Sequence, residues 1–155
     1  MTSTAVLSPS FNRLVEAFND LLDDVGPYRA VSFILPVAPM PAPRPERSRA
    51  GYLYCPERYV TWRGQVSPHI PALESRIHNR RCGVVLDLAL PPYKTVSTPW
   101  PKGDNDNYEK AVWDIVTLGG PIWKDDVQVC LNLTGKRFIT DGEKPHAAVY
   151  IREIL

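Results

Sequence analysis

Apolar residues near the start of the chain recur at the spacing of one helical face. Phe11, Leu14, Val15, Phe18, Leu21, Leu22 and Val25 fall at i, i+3, i+4 and i+7. This predicts an amphipathic helix that Ser10 caps and Gly26-Pro27 ends, with Glu16, Asp20, Asp23 and Asp24 on its polar side. The period then shortens. Across 29–35, Val31, Phe33 and Leu35 alternate with Ser32 and Ile34, which predicts a strand. Five prolines within 36–45 forbid helix and central strand and predict an extended, polyproline-like path. Pro56 can open a helix reaching to about residue 79, with Tyr59, Val60, Trp62 and Val66 as its buried side; Pro68 and Pro71 divide it into two pieces.

The second half carries the stronger strand signals. Val84, Leu86, Leu88 and Leu90 occupy one face of 82–90, with Val85, Asp87 and Ala89 on the other, and Pro91-Pro92 stops the strand. A loop over 91–103 leads to a helix over 107–118, whose apolar side is Tyr108, Ala111, Val112, Ile115 and Val116; Gly119-Gly120 ends it. Val127, Val129, Leu131 and Leu133 alternate as another strand, Thr134-Gly135-Lys136 reads as the start of a turn or loop, and 147–155 closes the chain as a last strand. The order helix, strand, helix, strand, helix, strand, strand predicts an α+β fold, a mixed β-sheet covered by helices in a single domain.

Composition narrows the class. The chain has 155 residues, 44% of them apolar and 23% charged, enough to bury one core. No stretch approaches the roughly 18 uninterrupted apolar residues of a membrane span, and the first residues lack the basic and apolar regions of a secretory signal. Cys55, Cys82 and Cys130 are odd in number and have no CxxC spacing, which suits buried thiols in a reducing, cytoplasmic setting rather than a zinc site. The net charge of +1 hides a division. Residues 1–28 carry one basic and four acidic side chains, residues 29–81 nine and three, and residues 82–155 eight and ten. The basic middle, with Arg44, Arg47, Arg49, Arg58 and Arg63, suits either a polyanion or a solvated face.

The acidic residues carry more chemistry. Asp104 and Asp106 stand on a loop entering a helix, and Asp125-Asp126 stand just before a strand, so the two element ends can converge at one edge of the fold. Clustered carboxylates repel unless a cation neutralises them. Oxygen donors without histidine or cysteine suit Mg²⁺, with Mn²⁺ as the alternative, and such ions serve phosphodiester hydrolysis. The structural readings are a helix cap at Asp104 or Asp106 and a turn at Asp125-Asp126. A calcium loop fails, because its fifth, sixth and twelfth positions would be Tyr108, Glu109 and Ile115. Lys110, four residues after Asp106, projects on the same side and can hold a phosphate or form a surface pair with Asp106 or Asp114. His69, His78 and His146 have no ligand-like spacing.

The run Asp104-Asn105-Asp106-Asn107-Tyr108-Glu109-Lys110, then Asp114, then Trp123-Lys124-Asp125-Asp126-Val127-Gln128-Val129 resembles the RusA family of Holliday junction resolvases. That family shows D-x-D-N-x-x-K-x-x-x-D followed by D-D-x-Q-V. Phe33-Ile34-Leu35-Pro36, the Pro-rich stretch with Arg44, and Tyr59 with Trp62 also look like phage and prophage members. The likeness runs from about Arg29 to the C-terminus, dividing the chain into an N-terminal helical extension over 1–28 and a RusA-like domain over 29–155. Asn105 stands where the family commonly has an apolar residue, Tyr108 where it often has Leu, and the loop over 91–103 is long.

The resemblance implies a magnesium-dependent, homodimeric endodeoxyribonuclease of DNA recombination and repair, which resolves four-way junctions by paired phosphodiester hydrolysis. Asp104, Asp106 and Asp126 match its metal-binding aspartates and Lys110 its catalytic lysine; Asn107 and Asp125 sit beside them with roles left open. Arg44, Arg47, Arg49, Arg58, Arg63, Lys136 and Arg137 are the expected DNA contacts, and the N-terminal helix packs on the domain or meets a protein partner. The alternatives are a metal nuclease acting on other branched DNA and a non-catalytic protein that binds branched DNA.

Overall fold

Residues 81–90 are apolar on both faces, and a strand of that kind is stable only at the centre of a covered sheet. In the computed structural model, which describes residues 7–72, 77, 79–95, 98–119 and 122–155, this segment is the strand β4 (Arg81–Leu90), and Cys82 to Leu90 are all buried. Its neighbours are β5 (Val129–Phe138), which runs parallel to it, and β6 (His146–Ile154), which runs antiparallel. The edge beyond β6 is β1 (Ala30–Leu35), giving the mixed order β1-β6-β4-β5. A parallel pair needs a crossover, and α3 (Asn105–Gly119) lies in the β4–β5 connection. The fold is the expected α+β arrangement.

Two apolar layers cover the sheet. On one face, Val84, Leu86 and Leu88 of β4 and Val149 and Ile151 of β6 pack with Ala111, Val112, Ile115 and Val116 of α3 and with Tyr59, Trp62 and Val66 of α2 (Glu57–Val66). The Pro-rich stretch crosses this side as an extended strap: the Trp62 indole N–H donates to the Ala38 carbonyl (3.0 Å) and the Ala42 N–H to the Asn107 carbonyl (2.8 Å). On the other face, Phe11 and Phe18 of α1 (Pro9–Leu22) pack with Val85, Ala148 and Tyr150. Gly83 is what allows α1 so close, since a Cβ there would stand 2.6 Å from the Phe18 ring.

Ion pairs close both ends of the α1 face. Arg152 is buried against α1: it donates to the Asn19 side chain (2.9 Å) and to the Asp24 carboxylate, and it lies over the Tyr28 ring. Buried Asp87 pairs with Arg137 (3.2 Å), which also pairs with Glu143 (2.7 Å). The Glu143 carboxylate accepts the Thr140 N–H (2.9 Å) as well, so it closes the β5–β6 turn.

Several boundaries differ from the sequence reading. Ser8, not Ser10, caps α1, its hydroxyl accepting the Phe11 N–H (3.2 Å). The helix stops at Leu22, because Asp23 turns left-handed (φ 45°) and frees Asp24 to reach Arg152. Val25 therefore lies beyond the helix and is exposed, and Leu21, in the last turn of α1, is exposed as well. The first of the two expected helical pieces ends at Val66, followed by a 3₁₀ turn (Ser67–His69) at Pro68, with Val60 exposed; residues 73–76 and 78 of the expected second piece, His78 among them, lie outside the described residues. A short hairpin, β2 (Glu46–Arg47) with β3 (Leu53–Tyr54), was not foreseen. α3 begins at Asn105, two residues early, and β5 begins at Val129, two residues late. Thr134-Gly135-Lys136 lies inside β5 rather than in a turn, because Leu86, Asp87 and Leu88 of β4 offer it a continuous parallel partner. Among the cysteines only Cys82 is buried, whereas Cys55 and Cys130 are exposed. No helix among the described residues is long and apolar enough to cross a membrane.

Deleting residues 1–26 exposes Val85, Ala148 and Tyr150 and strips Arg152 of Asn19 and Asp24, so the truncated chain aggregates or unfolds; light scattering and circular dichroism check this. Phe18→Ala alone costs about 3–5 kcal/mol in urea unfolding. The Arg137 guanidinium holds the Glu143 carboxyl down at about 2, from an ordinary 4.5. A depressed acid stabilises the fold above its unfolded value and loses that contribution as pH falls through its folded one. The stability gap between the native chain and Glu143→Gln is therefore widest above pH 4.5 and closes toward pH 2, as denaturation across that range measures.

Candidate active site

The segment leading into α3 is held from three sides. The Lys102 N–H donates to the Tyr93 hydroxyl (2.6 Å), the Lys136 ammonium donates to the Gly103 carbonyl, and the Asn105 amide donates to the Thr134 carbonyl (3.5 Å). Gly103 adopts φ +89° and lies under the Tyr108 ring, 3.2 Å from where a Cβ would be. Such a turn suits only glycine. Asp104 and Asp106 flank Asn105 on this braced start, and both are exposed.

From Asp106 the spacing i, i+4, i+8 places Lys110 and Asp114 along one side of α3. Lys110 pairs with Asp114 (3.2 Å). The Tyr59 hydroxyl of α2 donates to the other oxygen of Asp114 (3.3 Å), tying the two helices; burial and the Asp114 charge push the Tyr59 phenol well above its ordinary value. Asn107 meets the strap through its backbone carbonyl.

Asp126 comes from a 3₁₀ turn (Asp126–Gln128) that follows the buried Ile122 and Trp123. Asp125 caps this turn, its carboxylate accepting the Val127 N–H (3.0 Å). Gln128 secures it from behind. Its side-chain oxygen accepts from the Lys124 and Asp125 N–H groups (2.9 and 3.2 Å), and its amide donates to the Ile77 and Arg80 carbonyls (2.8 and 2.7 Å). The Asp126 carboxyl is raised above its ordinary value by burial, by a hydrogen bond to Asp125 and by the Asp125 charge; Lys110 opposes the shift and Asp114 adds to it. Asp114, Asp125 and Asp126 line a cleft of about 380 Å³ together with Arg63, whose guanidinium lies over the Tyr59 ring.

The aspartates thus form a strip rather than a cage. Asp104 and Asp106 stand at the start of α3, and Asp126 stands beside Asp114, eight residues or about 12 Å of helix farther along. Among the described residues, no three His, Cys, Asp or Glu side chains come together closely enough to hold a metal ion.

The expected DNA contacts also separate. Arg44, Arg47, Arg49 and Arg58 are exposed on and beside the hairpin, and Arg63 lines the acidic cleft. Lys136 and Arg137 do not reach out from a turn. They lie in β5, with Lys136 bound to Gly103 and Arg137 held between Asp87 and Glu143. Sequence reasoning missed Gln128, although its place in the D-D-x-Q-V run was a signal, and it missed Tyr59 as the group orienting Asp114. In place of Gln128, leucine leaves four backbone groups without their partner. Gln128→Leu costs about 2–4 kcal/mol of stability, which unfolding curves measure.

A family model described as endodeoxyribonuclease RusA matches residues 36–152. No curated protein matches the chain in a sequence search. The matched span runs from the start of the Pro-rich strap to Arg152, and so includes α3, the Asp126 turn and all of β4 and β5. It covers well over half of the chain, which therefore belongs to the RusA family of endodeoxyribonucleases, hydrolases of phosphodiester bonds.

Proposed function

We propose that this enzyme is a magnesium-dependent resolvase of four-way DNA junctions that works as a homodimer and cuts two strands in a paired fashion. The observation that carries the reading is the exposed acidic strip along α3, with Lys110 set between Asp106 and the Asp126 turn.

Asp104, Asp106 and Asp126 would hold the ion. Their donor chemistry fits a hard divalent cation, and the crowding of Asp126 by Asp125 and Asp114 is of the kind a cation relieves. Mg²⁺ commonly binds through one or two carboxylates plus substrate phosphates. The strip fits that mode, with the remaining ligands coming from the DNA and from a second copy of the chain. When bound, the ion supplies an activated water and neutralises charge developing on the phosphate.

The chain's own residues do the positioning. Lys110 exchanges Asp114 for the scissile phosphate, and this costs little, because an exposed i, i+4 pair is worth only about 0.3–0.5 kcal/mol. Arg63 offers its planar fork to a phosphate entering the cleft. Arg44, Arg47, Arg49 and Arg58 contact the flanking backbone. Asp125 stays with its cap, so only Asp126 faces the reaction. Two active sites are needed for paired cuts, and one chain carries one strip, so a two-fold dimer supplies the second.

In a junction-cutting assay with magnesium, Asp104→Asn, Asp106→Asn and Asp126→Asn each lose several orders of magnitude. Lys110→Ala loses on the order of 10²–10³-fold. Asp125→Asn keeps most activity, because asparagine also caps. Mixing the Asp104→Asn and Asp126→Asn proteins restores part of the cleavage if the partner completes the site. Normal cutting by all three aspartate variants would overturn the reading.

A further inference from the structure

The β2–β3 hairpin exposes what a folded chain usually hides. Tyr52, Leu53 and Tyr54 are 75%, 65% and 47% exposed. Arg44, Arg47 and Arg49, on and beside the hairpin, and Arg58 in the first turn of α2 are exposed too, and none has an ion pair among the described residues. The nearby Glu46 carboxylate is taken up by the Tyr54 hydroxyl (2.9 Å). Pairing of Arg47 with Leu53 sets a guanidinium and an apolar side chain on the same face of the hairpin.

The tip is shaped in advance. The Ser48 N–H donates to the Tyr52 carbonyl (2.8 Å), the Tyr52 N–H donates to the Ser48 hydroxyl (3.1 Å), and the Gly51 N–H donates to the Ser48 carbonyl (2.9 Å), with Gly51 at φ +87°. Tyr52 is thus presented on a closed loop, which lowers the entropy lost when it is covered. The base of the hairpin is tied to the catalytic helix. The bond from Ala42 to Asn107 lies two residues before Arg44 and one after Asp106.

We propose that this hairpin is a base-contacting element: Tyr52 stacks on, and Leu53 packs against, base faces left open at a DNA branch point while the neighbouring arginines hold the phosphates. This rests on the junction reading above. Arginines and exposed aromatics together match unstacked nucleic acid, because stacking needs a π-face and the backbone supplies the anions. A linear duplex offers phosphates but no open base faces away from its ends, whereas a branch point offers both. A second copy of the chain fits less well, since a two-fold contact at this hairpin would set the same arginines against one another.

The test uses the full-length protein without divalent metal, so that the DNA stays whole, and compares a four-way junction carrying 2-aminopurine at the branch point with a linear duplex of equal length. In the native protein, binding changes the 2-aminopurine fluorescence. The double variant Tyr52→Ala/Leu53→Ala loses that change and about ten-fold or more of its junction affinity, while duplex affinity, set by phosphates, is unchanged. Tyr52→Phe, which keeps the ring, behaves as the native protein, and this separates stacking from misfolding. Equal losses on both DNAs, no loss on either, or a change in the sedimentation of the double variant without DNA would overturn the hairpin proposal. If the native protein itself prefers the duplex, the junction reading falls, and the hairpin proposal with it.

Discussion

Strand β4 cannot let either of its faces meet water. Val84, Leu86 and Leu88 point one way and Val85 the other, and Cys82 to Leu90 are all buried. A parallel partner on one side and an antiparallel partner on the other satisfy its backbone. The parallel partner requires a crossover, and α3 in that connection covers one face. The helix carrying Asp106 and Lys110 is therefore fixed by a strand buried on both faces. The Asp126 turn is fixed in the same way, because it is the last turn before β5 joins β4. Packing of the sheet thus sets how far apart the two acidic groups stand.

Charge is handled in two opposite ways. Where ions are buried, each has a partner: Asp87 and Glu143 with Arg137, and Arg152 with Asp24 and Asn19. Along α3 the pairing stops. Asp104 and Asp106 stay in water, Lys110 has a weak exposed partner, and Asp126 is crowded by like charge. Buried unpaired charge would unfold a domain of this size, so incomplete pairing is affordable only at the surface. The incompleteness is what a cation and a phosphate can use. The neighbouring backbone is satisfied instead by side chains such as Asp125 and Gln128.

Much of this was legible in the chain. The apolar run of β4 and the apolar side of α3 were readable, because buried faces leave a pattern in the sequence. The boundaries were not. The end of α1 depends on Asp24 meeting Arg152 from the far end of the chain, and the extension of β5 through Gly135 depends on β4. Both are contacts between distant residues, which no local pattern records. The acidic residues of the site were readable as types and spacings, and the resemblance supplied their roles. Their distribution along a strip was not readable, because it follows from the length of α3 and the start of β5 together. The hairpin escaped because two residues per strand are too few to show a period.

The N-terminal helix bears on how such an enzyme holds its shape. The family match begins at Pro36, after both α1 and β1, yet the α1 face of β4 and β6 needs a cover in any fold built on this sheet. Here α1 supplies it with Phe11 and Phe18, and Gly83 is the residue that lets the helix approach. Both faces of the sheet are then closed within one chain, so neither is left over as an apolar surface for a partner. The α3 strip and the hairpin lie at the surface, outside these covered faces. Those parts project from a sheet stiffened on both sides, which is the condition for weakly paired surface groups to keep their positions until substrate arrives.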